Sequence, residues 1–176
     1  ARLFADHVEI DYRIASQTLK GVLDSECSAM LEAALEQDLI DVIGSLPGAD
    51  KGQEEEHLEY LLDLARFYNK RLHVHVDQLN TVAEKETELL AIKTIEYEME
   101  GRVTAVHGIS LAAHVKDYRK YIYELCQEAS LSFIACPTAW IDCRRSEELN
   151  VSHNALTPVE EMLQYNLVVA IGSDNI

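Results

Sequence analysis

Three residues with metal-binding side chains stand where three apolar runs end. His75 follows Arg71-Leu72-His73-Val74, His107 follows Val103-Thr104-Ala105-Val106, and Asp174 follows Leu167–Ile171 and a Gly172-Ser173 turn. Two imidazole nitrogens and a carboxylate oxygen suit a divalent ion such as zinc or iron. Donors carried on neighbouring strands can converge to ~2.0–2.2 Å of one ion. Each residue alone has an ordinary reading: a histidine after a strand hydrogen-bonds, and an aspartate after Gly-Ser turns the chain. Three of them at the same end of successive βα units weigh toward a site. Strand alternation puts His73 on the same face as His75 but deeper, as a secondary candidate. His7 has a comparable place after Arg2-Leu3-Phe4-Ala5. His57, His114 and His153 fall in helical or loop patterns and are expected to be solvated. Beyond the same run ends lie Asp77 and Gln78, then Cys136, Pro137 and Thr138, with Trp140 nearby. Gln78, Cys136 and Trp140 are the candidate substrate contacts.

The elements that must position these residues recur at a spacing of about 30 residues from position 39 onward. Short β-branched runs at 39–43, 71–76, 103–106, 131–135 and 167–171 alternate with amphipathic helical patterns. That is the signature of βαβ units with buried parallel strands. The intervening helices are expected to bury Leu58, Leu61, Leu62, Ala65 and Tyr68, then Leu89, Ile92, Ile95 and Met99 in a helix from about Thr81. A further helix should bury Leu111, Val115, Tyr118, Ile122 and Leu125. Ahead of them, the stretch from Ser25 to about Gln37 reads as a helix on Met30, Leu31, Ala34 and Leu35. Thr157-Pro158-x-Glu160 predicts a capping box with proline at the first helical position. In parallel α/β folds chemistry sits at the C-terminal ends of strands, where the candidate residues lie.

Composition removes several functions. Among 176 residues, 31 are Asp or Glu and 15 are Lys or Arg, for a formal charge of −16. Such a surface repels nucleic acid and anionic membrane. No apolar run approaches the ~18 residues of a membrane span, and no signal-like N-terminus is present. Cys27, Cys126, Cys136 and Cys143 form no CxxC pair and read as reduced thiols of a cytoplasmic protein. Gly44, Gly48 and Gly52 make no phosphate loop. No G-x-S-x-G elbow appears, nor the H-x-E with P-C-x-x-C of the zinc nucleobase deaminases. With no linker dividing it, the chain is expected to be one domain over 1–176.

The stretches His75-Val76-Asp77-Gln78, Val103–His107 with Leu111, and Val168–Asn175 together resemble the amidohydrolase superfamily, in its cytosine-deaminase-like branch. Asp41-Val42-Ile43-Gly44 and Phe133–Pro137 add to the resemblance, which runs from about residue 29 to the end. It implies a (β/α)8 barrel of the TIM type holding a divalent metal, zinc or iron. His75, His107 and Asp174 are implied as the ligand set, His107 as the histidine that binds metal or substrate. In that family the metal acidifies a water, and the aspartate matching Asp174 moves its proton as a C–N bond is cut. His107 and Asp174 are thus the implied catalytic pair. Two features depart from the family pattern. Gln78 stands where the branch has a carboxylate after H-x-D, and glutamine cannot shuttle a proton at neutral pH. The paired H-x-H of the family's first strand has no counterpart, so five or six strands and an incomplete metal site are expected. The implied function is hydrolysis of a small cyclic amide or amidine; a homo-oligomer is one of the states the sequence leaves open. The alternative is a degenerate relative that binds a ligand or partner.

Overall fold

The computed structural model describes residues 13–138 and 156–174. They form two compact units, 1–73 and 74–176, and the second holds His75, His107 and Asp174. In the first unit, α1 (Ser25–Glu36) starts at Asp24, whose carboxylate accepts from the backbone N–H groups of Glu26 and Cys27. It is followed by β1 (Val42–Ser45) and α2 (Glu54–Phe67). The apolar stripe of α2, Leu58, Leu61, Leu62 and Ala65, is fully buried as the spacing predicts. Strand β2 (Arg71–Val76) crosses from the first unit into the second.

Beyond it come α3 (Glu86–Glu96), β3 (Val103–His107), α4 (Lys116–Glu128), β4 (Ser132–Ala135), α5 (Val159–Gln164) and β5 (Val168–Ile171). Strands β3, β4 and β5 pair in parallel, with Ala105 beside Phe133 and Phe133 beside Val169. This is the parallel α/β arrangement the sequence rhythm requires. No helix among the described residues is long and apolar enough to cross a membrane.

Each α-helix among the described residues hands over to the following segment through the same turn. Asp38, Asn69, Glu98, Ser130 and Asn166 all adopt left-handed backbone just past a helix end. Each time, the left-handed residue's N–H bonds to the carbonyl three residues back, and the next N–H to the carbonyl five back, as in Asn69→Arg66 and Lys70→Ala65. This doubly bonded cap satisfies carbonyls that the helix leaves open. Glycine is the usual residue at that position, so its use of Asp, Asn, Glu and Ser hides the repeat from sequence inspection.

Several expected contacts shift. Strand β1 starts at Val42 rather than Leu39 and runs through Gly44, because residues 14–16 lie against it with a parallel bridge at Ala15–Val42. A Cβ on Gly44 would lie 1.7 Å from the Ser16 carbonyl oxygen, so only glycine fits. Helix α3 begins at Glu86, not Thr81, and buries Thr87, Leu90, Ala91 and Thr94 while Leu89, Ile92 and Ile95 are half-buried. Thr94 returns its hydroxyl to the Leu90 carbonyl at 2.7 Å, which makes it compatible with the core. Counting apolar residues alone therefore selects the neighbouring stripe.

Helix α4 likewise buries Ile122, Tyr123 and Cys126, and Val115 stands outside it at 74% exposure. The Tyr123 ring is tolerated there because its hydroxyl reaches Glu161, which Arg119 holds through two bonds of 2.7 Å. Met30 is exposed, leaving Leu31 and Leu35 as the buried side of α1. The Thr157 capping box does not form: α5 has Pro158 at its cap without a side-chain bond, and Thr157 donates its hydroxyl to the His107 carbonyl.

Candidate metal centre

Within the second unit, the three candidate ligands arrive on strand ends whose backbones are individually braced. His75 is the penultimate residue of β2, half-buried on the face opposite Val74 and Val76. The next residues of that chain hold the end of β3: the Val76 carbonyl accepts from Gly108 N–H at 3.1 Å and the Asp77 carbonyl from Ser110 N–H at 2.9 Å. His107 and Gly108 both take left-handed backbone, with φ of 76° and 64°. For histidine this conformation costs on the order of 1–3 kcal/mol and persists where surrounding bonds impose it. The Thr157 hydroxyl on the His107 carbonyl, at 2.5 Å, is one such bond.

Asp174 is delivered by β5 through Gly172-Ser173. Gly172 donates to the Ala135 carbonyl at 2.8 Å, and a Cβ there would meet Ile134 Cγ2 at 2.8 Å and Cys136 Sγ at 3.0 Å. The glycine lets the end of β5 lie close against β4. Thr138 then ties the two strand ends together by donating to the Ser173 carbonyl at 2.9 Å.

These supports bring one donor atom from each of His75, His107 and Asp174 within 4.8 Å of one another. His75 Nδ1 and His107 Nε2 are 3.1 Å apart, with the rings tilted by 58°. Burial lowers both imidazole pKa values; for His107, repulsion from His75 adds to it and brings the value to about 4, against the opposing pull of Asp174. Both rings are therefore neutral at pH 7 and present lone pairs. Three ligands each ~2.0–2.2 Å from one ion must lie within ~4.4 Å of each other, a spacing this cluster can reach with small side-chain adjustment. The donor set fits zinc or iron.

A protein of Haemophilus influenzae, itself uncharacterized, is 46% identical over 158 residues, spanning 88% of this chain and 56% of that protein. The N-isopropylammelide isopropyl amidohydrolase of Pseudomonas sp. (strain ADP) is 25% identical over 172 residues, 95% of this chain and 38% of that enzyme. The crystal structure of 5-methylcytosine deaminase from Klebsiella pneumoniae liganded with phosphonocytosine superposes with a TM-score of 0.85 at 24% identity, over 95% of this chain and 41% of that one. Over the part it covers, the chain resembles these amidohydrolases in its parallel α/β fold. No family model matches the sequence. The chain spans about half the length, or less, of the curated relatives it matches.

The structure places the other predicted residues unequally. Gln78 is half-buried in the loop directly after β2. Cys136 is buried beside Gly172, and burial followed by the charge of Asp174 raises its thiol pKa, so it is protonated at pH 7. His73 is half-buried on β2 and is not in the ligand cluster. Trp140, His7, His153 and Cys143 lie outside the described residues.

Two histidines expected to be solvated are buried. His114 stacks on Tyr118 at 4.2 Å and donates Nε2–H to the Glu84 carbonyl at 3.0 Å. In the first unit, His57 is fully buried between Asp50 and Ser45, at 2.6 Å from Nδ1 and 2.8 Å from Nε2. Burial lowers its pKa more than Asp50 raises it, so the neutral ring donates to Asp50 and accepts from Ser45. An amphipathic helix pattern cannot show this, because His57 adjoins the apolar stripe and its partners lie 7 and 12 residues away. Sequence reading also missed Glu84 and Ser110, and it assigned Thr157 to a helix cap, because the bonds Ser110–Glu84 and Thr157–His107 join segments distant in the chain.

Proposed function

We propose that this chain is the part of a metal-dependent (β/α)8 hydrolase that cuts a C–N bond in a small cyclic amide or amidine. The observation that carries the reading is the convergence of His75, His107 and Asp174 donor atoms within 4.8 Å. Relatives named for N-isopropylammelide and 5-methylcytosine support a nitrogen-rich ring as the substrate class. The two neutral imidazoles and the Asp174 carboxylate would hold zinc or iron, which when bound supplies Lewis acidity that brings the pKa of water toward ~7.

Asp174 then accepts the proton of the attacking water on a carboxylate oxygen and returns it to the departing nitrogen. His107 orients the carbonyl or imino group under attack. Gln78 can donate from its amide nitrogen and accept at its oxygen, which suits recognition of a ring N–H beside a carbonyl. The protonated Cys136 thiol adds an apolar surface beside Asp174; Trp140, the other candidate substrate contact, lies outside the described residues. Gln78 in place of a carboxylate also favours a second reading, a ligand-binding relative without turnover.

Elemental analysis of the purified protein tests the first reading, beside a variant with both His75→Ala and Asp174→Ala. About one equivalent of zinc, iron or manganese, lost in the variant, is expected. A wild-type chain with no metal after reconstitution with zinc and iron overturns it. Metal without turnover of any aminopyrimidine or triazine leaves the binding protein as the better account.

A further inference from the structure

The loop joining β2 to α3 carries Gln78, and its polar bonds lead to the turn after β3. Glu84 Oε2 accepts from Leu79 N–H at 2.7 Å and from the Ser110 hydroxyl at 2.5 Å. Ser110 Oγ accepts from Thr81 N–H at 3.1 Å, and Ser110 N–H goes to the Asp77 carbonyl at 2.9 Å. Nε2–H of His114 holds the Glu84 carbonyl. At the mouth of the same loop, Asp77 and α3 exchange bonds: Asp77 N–H donates to Glu86 Oε2, and the Asp77 carboxylate accepts from Glu86 and Thr87 N–H.

Ser110 is fully buried and Glu84 half-buried. A carboxylate withdrawn from water is costly unless donors replace the water, and here one oxygen takes two donors from two different loops. Such a bond set fixes the placement of one loop against the other. One loop begins two residues after His75, and the other contains the residue three after His107.

We propose that Glu84 is a positioning residue for the His75–His107 pair: through Ser110 it locks the loop after β2 to the turn after β3 and sets the spacing of the two imidazoles. It touches neither ring. The inference builds on the metal reading but concerns the arrangement of the ligands before any ion binds. Removing residues that orient ligands typically lowers metal affinity ~10–100-fold.

The test compares wild type, Glu84→Ala and Glu84→Gln. Glutamine keeps an oxygen able to accept both bonds. Imidazole nitrogen NMR of the metal-free protein reads the ring pair, and chelator-competition titration with zinc reads affinity. Glu84→Ala is expected to move the His75 and His107 ring signals and weaken zinc about 10-fold, with Glu84→Gln close to wild type. Ring signals unchanged in Glu84→Ala, or moved equally in Glu84→Gln, overturn the proposal even if the alanine variant is less stable. Should Glu84→Ala fail to fold, Ser110→Ala is read in the same way. A wild type that takes up no zinc removes the metal reading, and the ring signals still decide this one.

Discussion

In the first unit His57 lies between Asp50 and Ser45, with both ring nitrogens committed to protein partners and no part of the ring exposed. In the second unit His75 and His107 bring ring nitrogens to 3.1 Å of one another, beside Asp174, and His75 is half-buried. Both constellations use histidine and aspartate, and the first even has the serine–histidine–aspartate order of a nucleophilic triad. Ser45 is fully buried, however, so no substrate reaches its oxygen. The Asp50 oxygen that takes the His57 N–H also accepts from the N–H groups of Val22 and Leu23, joining the segment before α1 to α2. Residue types alone do not make a site; the proposed one differs in donor atoms that converge on one point beside a half-buried ring.

The largest effect that would break this contrast is expected at Asp174. Asp174→Asn keeps the side-chain shape but removes the proton acceptor, and turnover of any accepted ring substrate should fall ~10²–10⁴-fold. Thermal unfolding of the metal-free variant should match wild type. Unimpaired turnover would take Asp174 out of the chemistry and leave the second constellation as structural as the first.

Next is Asp50→Ala, which strands two backbone N–H groups and the His57 ring N–H. Each buried group left without a partner costs about 1–3 kcal/mol, so a loss near 3 kcal/mol in urea unfolding is expected, with zinc uptake of the folded variant unchanged. A loss below about 0.5 kcal/mol would mean the buried chain of bonds does not hold the unit together.

Acid should act on both regions with one sign. The pKa values of His57, His75 and His107 all lie below the ordinary histidine value of 6.5, so below that pH the unfolded chain binds more protons than the folded one. Stability therefore falls as pH drops through 6.5 and goes on falling toward the His107 value of about 4. Zinc at ~100 times its dissociation constant should add about 2.7 kcal/mol near neutrality. That increment should shrink over the same acid window, because the proton competes for the same nitrogens. An increment independent of pH would place zinc elsewhere. His57→Asn should remove part of the acid loss while leaving the zinc increment intact.

Among the described residues, periodicity alone gave the alternation of strands and helices, though not all their boundaries, because a parallel sheet needs continuous β-branched runs and its covering helices need one apolar stripe. It also placed His75, His107 and Asp174, since a strand-end position can be counted from the run before it. The phase of α3 was beyond it: Leu89, Ile92 and Ile95 outrank Thr94 in apolarity, yet a threonine that bonds its own helix can be buried. The fates of the histidines were beyond it as well. His57 becomes structural and His75 available because of partners 7, 12 and 32 residues away, brought close by the turns between elements. Local pattern gives the period with which side chains turn along an element; only tertiary packing decides which stripe is buried and what waits there to meet it.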